Sequence, residues 1–162
     1  MQKEKLSIRA VGIVIHNGQL LVMQRERGKD MYFVFPGGKV EVNETVEEAV
    51  VREIMAETSI DVAVDKFIYK HYLDHGEKGK SEQHFYLCKY LKGEPELGND
   101  NEKEVMEKGE KYYKPQWMNL DKISELLLYP LEIRDWMLED IKNNFINTPR
   151  EEHLRASDLR QI

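Results

Sequence analysis

The stretch Phe35 to Ile60, FPGGKVEVNETVEEAVVREIMAETSI, decides the reading of the fold. Thr45 followed three residues later by Glu48 has the form of a capping box, in which hydroxyl and carboxylate each satisfy a free amide of the first helical turn. Beyond it Val46, Ala49, Val50 and Ile54 recur on one apolar face, while Glu47, Glu48, Arg52, Glu53 and Glu57 fill the others. The spacing predicts one amphipathic helix over about Thr45 to Thr58. Before it, Tyr32 to Phe35 is a short apolar run that Pro36-Gly37-Gly38 brings to a halt.

Working outward, Ser7 to Ile15 is β-branched enough for a buried strand. Asn17-Gly18 follows at once and favours the tight turn of a hairpin, with Leu20 to Met23 as the returning strand. On the other side of the helix, Val62 to Tyr72 and Gln83 to Leu91 are β-branched and aromatic, and the polar Asp74 to Ser81 segment between them predicts a second hairpin. Gly93 to Lys111 is long, charged and rich in Glu, the kind of connection that is functional or disordered. Tyr112 to Met118 reads as one more strand and Asp121 to Leu128 as a short helix. Pro130 suits the start of a further helix that packs through Ile133, Trp136, Met137, Ile141 and Phe145. Strands surrounding one central helix predict an α+β domain (mixed α/β) with antiparallel pairing rather than alternating βαβ units. Residues 1–146 are read as that single domain and 147–162 as a polar tail, frayed or placed at a subunit interface.

Size and composition agree. At 162 residues the chain has the length of one domain, which buries about 70% of its unfolded surface. Its apolar runs are too short to span a bilayer, and Met-Gln-Lys-Glu-Lys at the start lacks the apolar core of a secretory signal, so a cytoplasmic setting is expected. A lone Cys88 excludes an internal disulfide and a multi-cysteine zinc site. The net charge of −6 argues against a face built to grip duplex nucleic acid and for binding any polyanion through metal ions.

Two other patterns fail. Gly76 to Ser81 imitates a phosphate-binding loop, but Asp74 stands where the pattern needs its first glycine and a strand follows instead of a helix. His71 and His75 are four apart on a strand and its exit, where that spacing does not bring two rings to one metal. Glu53 and Glu57, four apart on the helix, do project to one face. Like charges near a helix C-terminus call for a cation, and a hard divalent ion, Mg²⁺ or Mn²⁺, is held by one or two carboxylates together with water and substrate phosphates. The Gly37-Gly38 bend brings a backbone carbonyl towards the same ion without a side chain in the way. Arg52, one turn from Glu48, is placed to brace the carboxylates, and Glu44 is read as structural. In the acidic loop Glu102, then Glu104, is the expected further ligand.

From Gly38 to Ile60 the chain also resembles the signature of the Nudix hydrolases, G-x5-E-x7-R-E-U-x-E-E-x-G-U with U apolar. Seven of the nine specified positions match, at Gly38, Glu44, Arg52, Glu53, Ile54, Glu57 and Ile60, while Ala56 replaces a glutamate and Ser59 a glycine. The resemblance implies an α/β/α sandwich with a mixed sheet and the signature helix at its centre. It implies a divalent-metal-dependent hydrolase that cleaves a diphosphate linkage in a nucleotide or nucleoside diphosphate derivative. Glu53 is then the base or a direct ligand, Arg52 supports it, Gly37, Gly38, Glu53, Glu57 and Glu102 serve the metal, and Arg25 resembles a contact to substrate phosphate. Ala56 leaves an alternative, a nucleotide-binding module of the same fold with impaired catalysis. The expected partners are a small-molecule nucleotide and, through the tail, a second copy of the chain as a homodimer.

Overall fold

A computed structural model describes residues 6–74, 76–97 and 112–155. Strands β1 (Leu6–His16) and β2 (Gln19–Arg27) form the first hairpin, and both turn residues, Asn17 and Gly18, take the positive φ that such a turn needs, 51° and 73°. Then come β3 (Asp30–Val34), β4 (Gly37–Lys39), helix α1 (Val46–Thr58), β5 (Asp61–Asp74), β6 (Lys80–Lys92), β7 (Tyr112–Asn119), β8 (Leu128–Tyr129), helix α2 (Leu131–Ile141) and β9 (Arg150–Arg155). The sheet runs β8-β3-β2-β1-β6-β5-β9, with β4 on β1 and β7 on β2. Most pairs are antiparallel. The exceptions are β1 with β6, β3 with β8, and β5 with β9.

Strand alternation sorts β1 between two cores. Val11 and Ile13 point to a cluster that includes Phe35, Tyr69, Phe85, Ile133 and Met137, closed over by α2. Ala10 and Val14 point to the other, formed with Ala49, Val50, Ile54 and Ile60 of the α1 region. Gly12 lies between Ala10 and Val14, and a Cβ there would run into Ile54 Cδ1 and come within 3.2 Å of its Cγ1. Glycine at this point lets α1 lie close against the sheet.

The helix predicted at Thr45 to Thr58 is present with its capping box complete: Glu48 N–H donates to Thr45 Oγ1 and Thr45 N–H to Glu48 Oε1, both at 3.1 Å. The second hairpin is also present, with strands longer than expected at Asp74 and Lys80. Asp121 to Leu128 is not one helix. A 3-10 turn covers Leu120–Glu125, and Leu128 leaves it to pair in parallel with Phe33.

Residues 150–155, within the segment read as a tail, pair in parallel with Tyr69–Asp74 of β5. No apolar alternation announces this strand, because it is held by main-chain pairing and by one buried acid. Asp140 of α2 is fully buried and accepts hydrogen bonds from Tyr69 Oη and Arg150 Nη2, each at 2.6 Å. One carboxylate thus joins β5, α2 and the start of β9. Asp140→Ala leaves the Tyr69 hydroxyl buried without an acceptor, and a loss of about 2 to 3 kcal/mol is expected in urea denaturation. Tyr69→Phe, which removes only the neutral donor, is expected to lose about 1 kcal/mol in the same experiment.

Candidate active site

The site is assembled by α1, β4 and the loop between them. Arg52, near the middle of α1, reaches Glu44 in the loop with two parallel contacts, Nε to Oε2 at 2.6 Å and Nη2 to Oε1 at 2.9 Å. Its third nitrogen, Nη1, donates to Glu53 Oε1 at 2.6 Å, and Nη2 also meets the Lys39 carbonyl at 3.1 Å. A planar guanidinium suits this because its donors lie in a fixed fork. The brace expected from Arg52 therefore forms, but with Glu44 and Glu53. Glu48 caps the helix, as its spacing from Thr45 predicts.

Glu44 also accepts from Glu41 N–H at 3.0 Å. These two contacts, Arg52 first, hold its carboxyl well below the usual range, down to about 2. The same partners, Glu44 before Glu53, raise Arg52 further above its already basic value. At neutral pH Glu44 is thus an anion paired with a guanidinium that stays charged.

Glu53 lies against the glycine bend. A Cβ on Gly38 would come within 2.7 Å of Glu53 Oε1 and closer still to Cδ and Oε2, so only glycine leaves room for the carboxylate. Gly37 is likewise closed in by β1, where a Cβ would lie 2.8 Å from Val11 Cα. Glu57, one turn on from Glu53 and buried, accepts a 3.4 Å contact from Gly37 N–H through Oε2. The two carboxylates read from the helix periodicity therefore both border the Gly37-Gly38 backbone. Ala56 beside them is half-buried and adds no donor. Ser59 closes the helix at φ 65°, a left-handed conformation that favours glycine, and its hydroxyl donates to the Glu96 carbonyl at 2.8 Å.

Among the described residues no group of three or more His, Cys, Asp or Glu side chains is placed to hold a metal. The donor set fits a different kind of site: two carboxylates and a side-chain-free backbone segment match a hard divalent ion that keeps water and substrate oxygens as its remaining ligands. Glu102 and Glu104 lie outside the described residues, as does His75.

Next to Glu57 a cavity of about 280 Å³ opens, bordered also by Gly37 and Arg25. The Arg25 guanidinium sits over the Tyr113 ring at 4.8 Å, and its buried Nε has no hydrogen-bond partner. His71 and Gln83 line the same cavity. In the sequence His71 stands out only through its spacing from His75, and nothing local in the chain signals that β5 and β6 bring it and Gln83 to this wall.

A family model described as NUDIX domain matches residues 6–138. The chain belongs to the Nudix family. Among curated relatives, an 8-oxo-dGTP diphosphatase of Proteus vulgaris is 42% identical over 64 residues, which cover 38% of this chain and 57% of that protein. The aligned part thus spans little more than half the length of that relative. An 8-oxo-dGTP diphosphatase of Haemophilus influenzae is 35% identical over 98 residues, covering 59% of this chain and 71% of that one. The crystal structure of a Nudix hydrolase from Nitrosomonas europaea superposes with a TM-score of 0.67 at 13% identity, over 96% of this chain and 81% of that one, a likeness of fold. The curled mixed sheet with few helices is accordingly a Nudix fold.

The Glu44–Arg52 pair makes a pH prediction. A carboxyl held low when folded contributes stability above its ordinary value of 4.5, and loses it as the pH falls from there towards about 2. Wild type is therefore expected to melt above Glu44→Gln at about pH 6, with the gap narrowing steadily on acidification to about pH 2.5. Melting curves of both proteins across that range check it; a gap that stays constant would contradict the ionic lock.

Proposed function

We propose that this chain hydrolyses a diphosphate linkage in a nucleotide or nucleoside diphosphate derivative and that it requires a divalent cation, Mg²⁺ or Mn²⁺, to do so. The observation that carries the reading is the Glu53 carboxylate, fixed by Arg52 on one side and by the bare Gly38 backbone on the other. A bound divalent ion supplies charge neutralisation of the phosphate oxygens and a more acidic attacking water. The chain's own contributions are positional and electrostatic. Glu53 is held at one orientation to accept a proton or to serve as a ligand, and Glu57 offers a second carboxylate one helical turn away. Arg52 is a positioning residue that keeps Glu53 from swinging into solvent. Arg25, which lines the cavity and whose Nε has no hydrogen-bond partner, is suited to a phosphate oxygen. The names of the two curated relatives support an oxidised purine nucleoside triphosphate as the first substrate to test. Among the described residues no helix is long and apolar enough to cross a membrane, and the setting we propose is the cytoplasmic nucleotide pool.

Ala56 favours a second reading, a binding module that holds nucleotide without turning it over, because a carboxylate of the signature is missing from the centre of the acidic face. A phosphate-release screen over nucleotides with Mg²⁺ or Mn²⁺ separates the two. Hydrolysis is expected, and it is expected to vanish in excess chelator; full activity in chelator would overturn the mechanism. Glu53→Gln keeps size while removing the charge, and a fall of about 10²- to 10⁴-fold in kcat is expected. Its melting temperature is expected to stay close to wild type, since an ion pair at a partly exposed site is worth about 1 kcal/mol or less.

A further inference from the structure

His71 is the least satisfied polar side chain in the described structure. It is 1% exposed, and neither Nδ1 nor Nε2 has a hydrogen-bond partner. Burial holds its pKa below the ordinary histidine value, with the charge of Glu132 opposing in part, so the ring is neutral and offers one donor and one acceptor. Leaving both unpaired is costly, and His71 lines the cavity beside Glu57.

The surroundings of the ring have a definite pattern. Gln83 of β6 is the cross-strand partner of His71 on β5, and Arg9 of β1 is the partner of Gln83. Three polar residues thus form one row across three strands, and all three line the cavity. Two residues along each strand the row becomes Val11, Phe85 and Tyr69, of which Phe85 meets Phe35 edge-on at 5.7 Å. The cavity therefore combines aromatic walls, a few polar groups and, at the Glu57–Gly37 border, the carboxylate face of α1. Flat heterocycles have this character themselves: apolar faces, and an edge where donors alternate with acceptors.

We propose that His71, together with Gln83, is a specificity-determining residue that hydrogen-bonds the edge of the substrate's heterocyclic base, with the base lying against Phe35 and Phe85. This rests on the nucleotide reading above. Discrimination then comes from the cost of leaving a buried donor and acceptor unpaired whenever the wrong edge enters.

Calorimetric titration of the full chain with AMP, GMP, CMP and UMP, and with inorganic diphosphate as a ligand lacking a base, tests this on wild type, His71→Leu and His71→Gln. Wild type is expected to prefer one base. His71→Leu is expected to weaken that nucleotide roughly tenfold, the size of one lost buried hydrogen bond, while diphosphate affinity stays the same. His71→Gln, which keeps a donor and an acceptor, is expected to recover part of the loss. In turnover the change is expected in KM and not in kcat. An equal loss for diphosphate and nucleotides, an unchanged base preference in both variants, or wild-type protein that binds none of the four nucleotides overturns the proposal. Should His71→Leu fail to melt cooperatively, His71→Gln and Gln83→Leu are read by the same criteria. Absence of turnover with base-selective binding intact would overturn only the hydrolase reading; turnover with base preference untouched by either His71 variant would overturn only this one.

Discussion

The arrangement of this molecule turns on the guanidinium of Arg52. Four hydrogen bonds from one planar group reach the loop carboxylate of Glu44, the neighbouring carboxylate of Glu53 and the carbonyl of Lys39 at the end of β4. A helix, a strand end and the loop between them are thereby fixed to one another by a group that cannot lose its charge. A lysine would place a point charge there and hold one of these partners at a time. The ion pair with Glu44 orders the loop, and the contact with Glu53 transfers that order to the carboxylate on which the proposed chemistry rests.

That lock acts only because α1 is held hard against the sheet. Gly12 removes the one side chain that would stand between β1 and Ile54, and Gly37 and Gly38 let β4 run close to β1 on one side and to Glu53 on the other. Each glycine serves a close approach of main chain to a neighbouring atom and not a turn. The acidic face of the helix and the strand beside it therefore meet without intervening bulk, Glu53 against Gly38 and Glu57 against Gly37.

What could be read from the sequence was what is local. The capping box at Thr45 and Glu48, the Asn17-Gly18 turn and the spacing of Glu53 and Glu57 are all relations within a few residues, and each has a geometry of its own. Partner choice was not readable. The parallel pairing of β1 with β6 joins residues more than seventy apart, and that of β5 with β9 joins a patterned strand to one whose residues are almost all charged or polar. The Glu44–Arg52 contact joins residues eight apart across a loop and a helix turn, and no local spacing rule announces it. His71 was invisible for the same reason: its meaning comes from Gln83 and Arg9, which are neighbours only through the sheet.

The terminal strand carries a consequence for behaviour in concentrated solution. β9 occupies one edge of the sheet, covering the main-chain groups that β5 would otherwise present. An uncovered β5 edge, with Ile68, Tyr69 and Leu73 along it, would be a ready template for another chain. The strand that replaces it as the outer edge reads Arg-Glu-Glu-His-Leu-Arg. The main-chain groups of β5 are thereby taken up within the chain, so the least patterned part of the sequence closes an edge that the sheet would otherwise leave open to strand-to-strand growth.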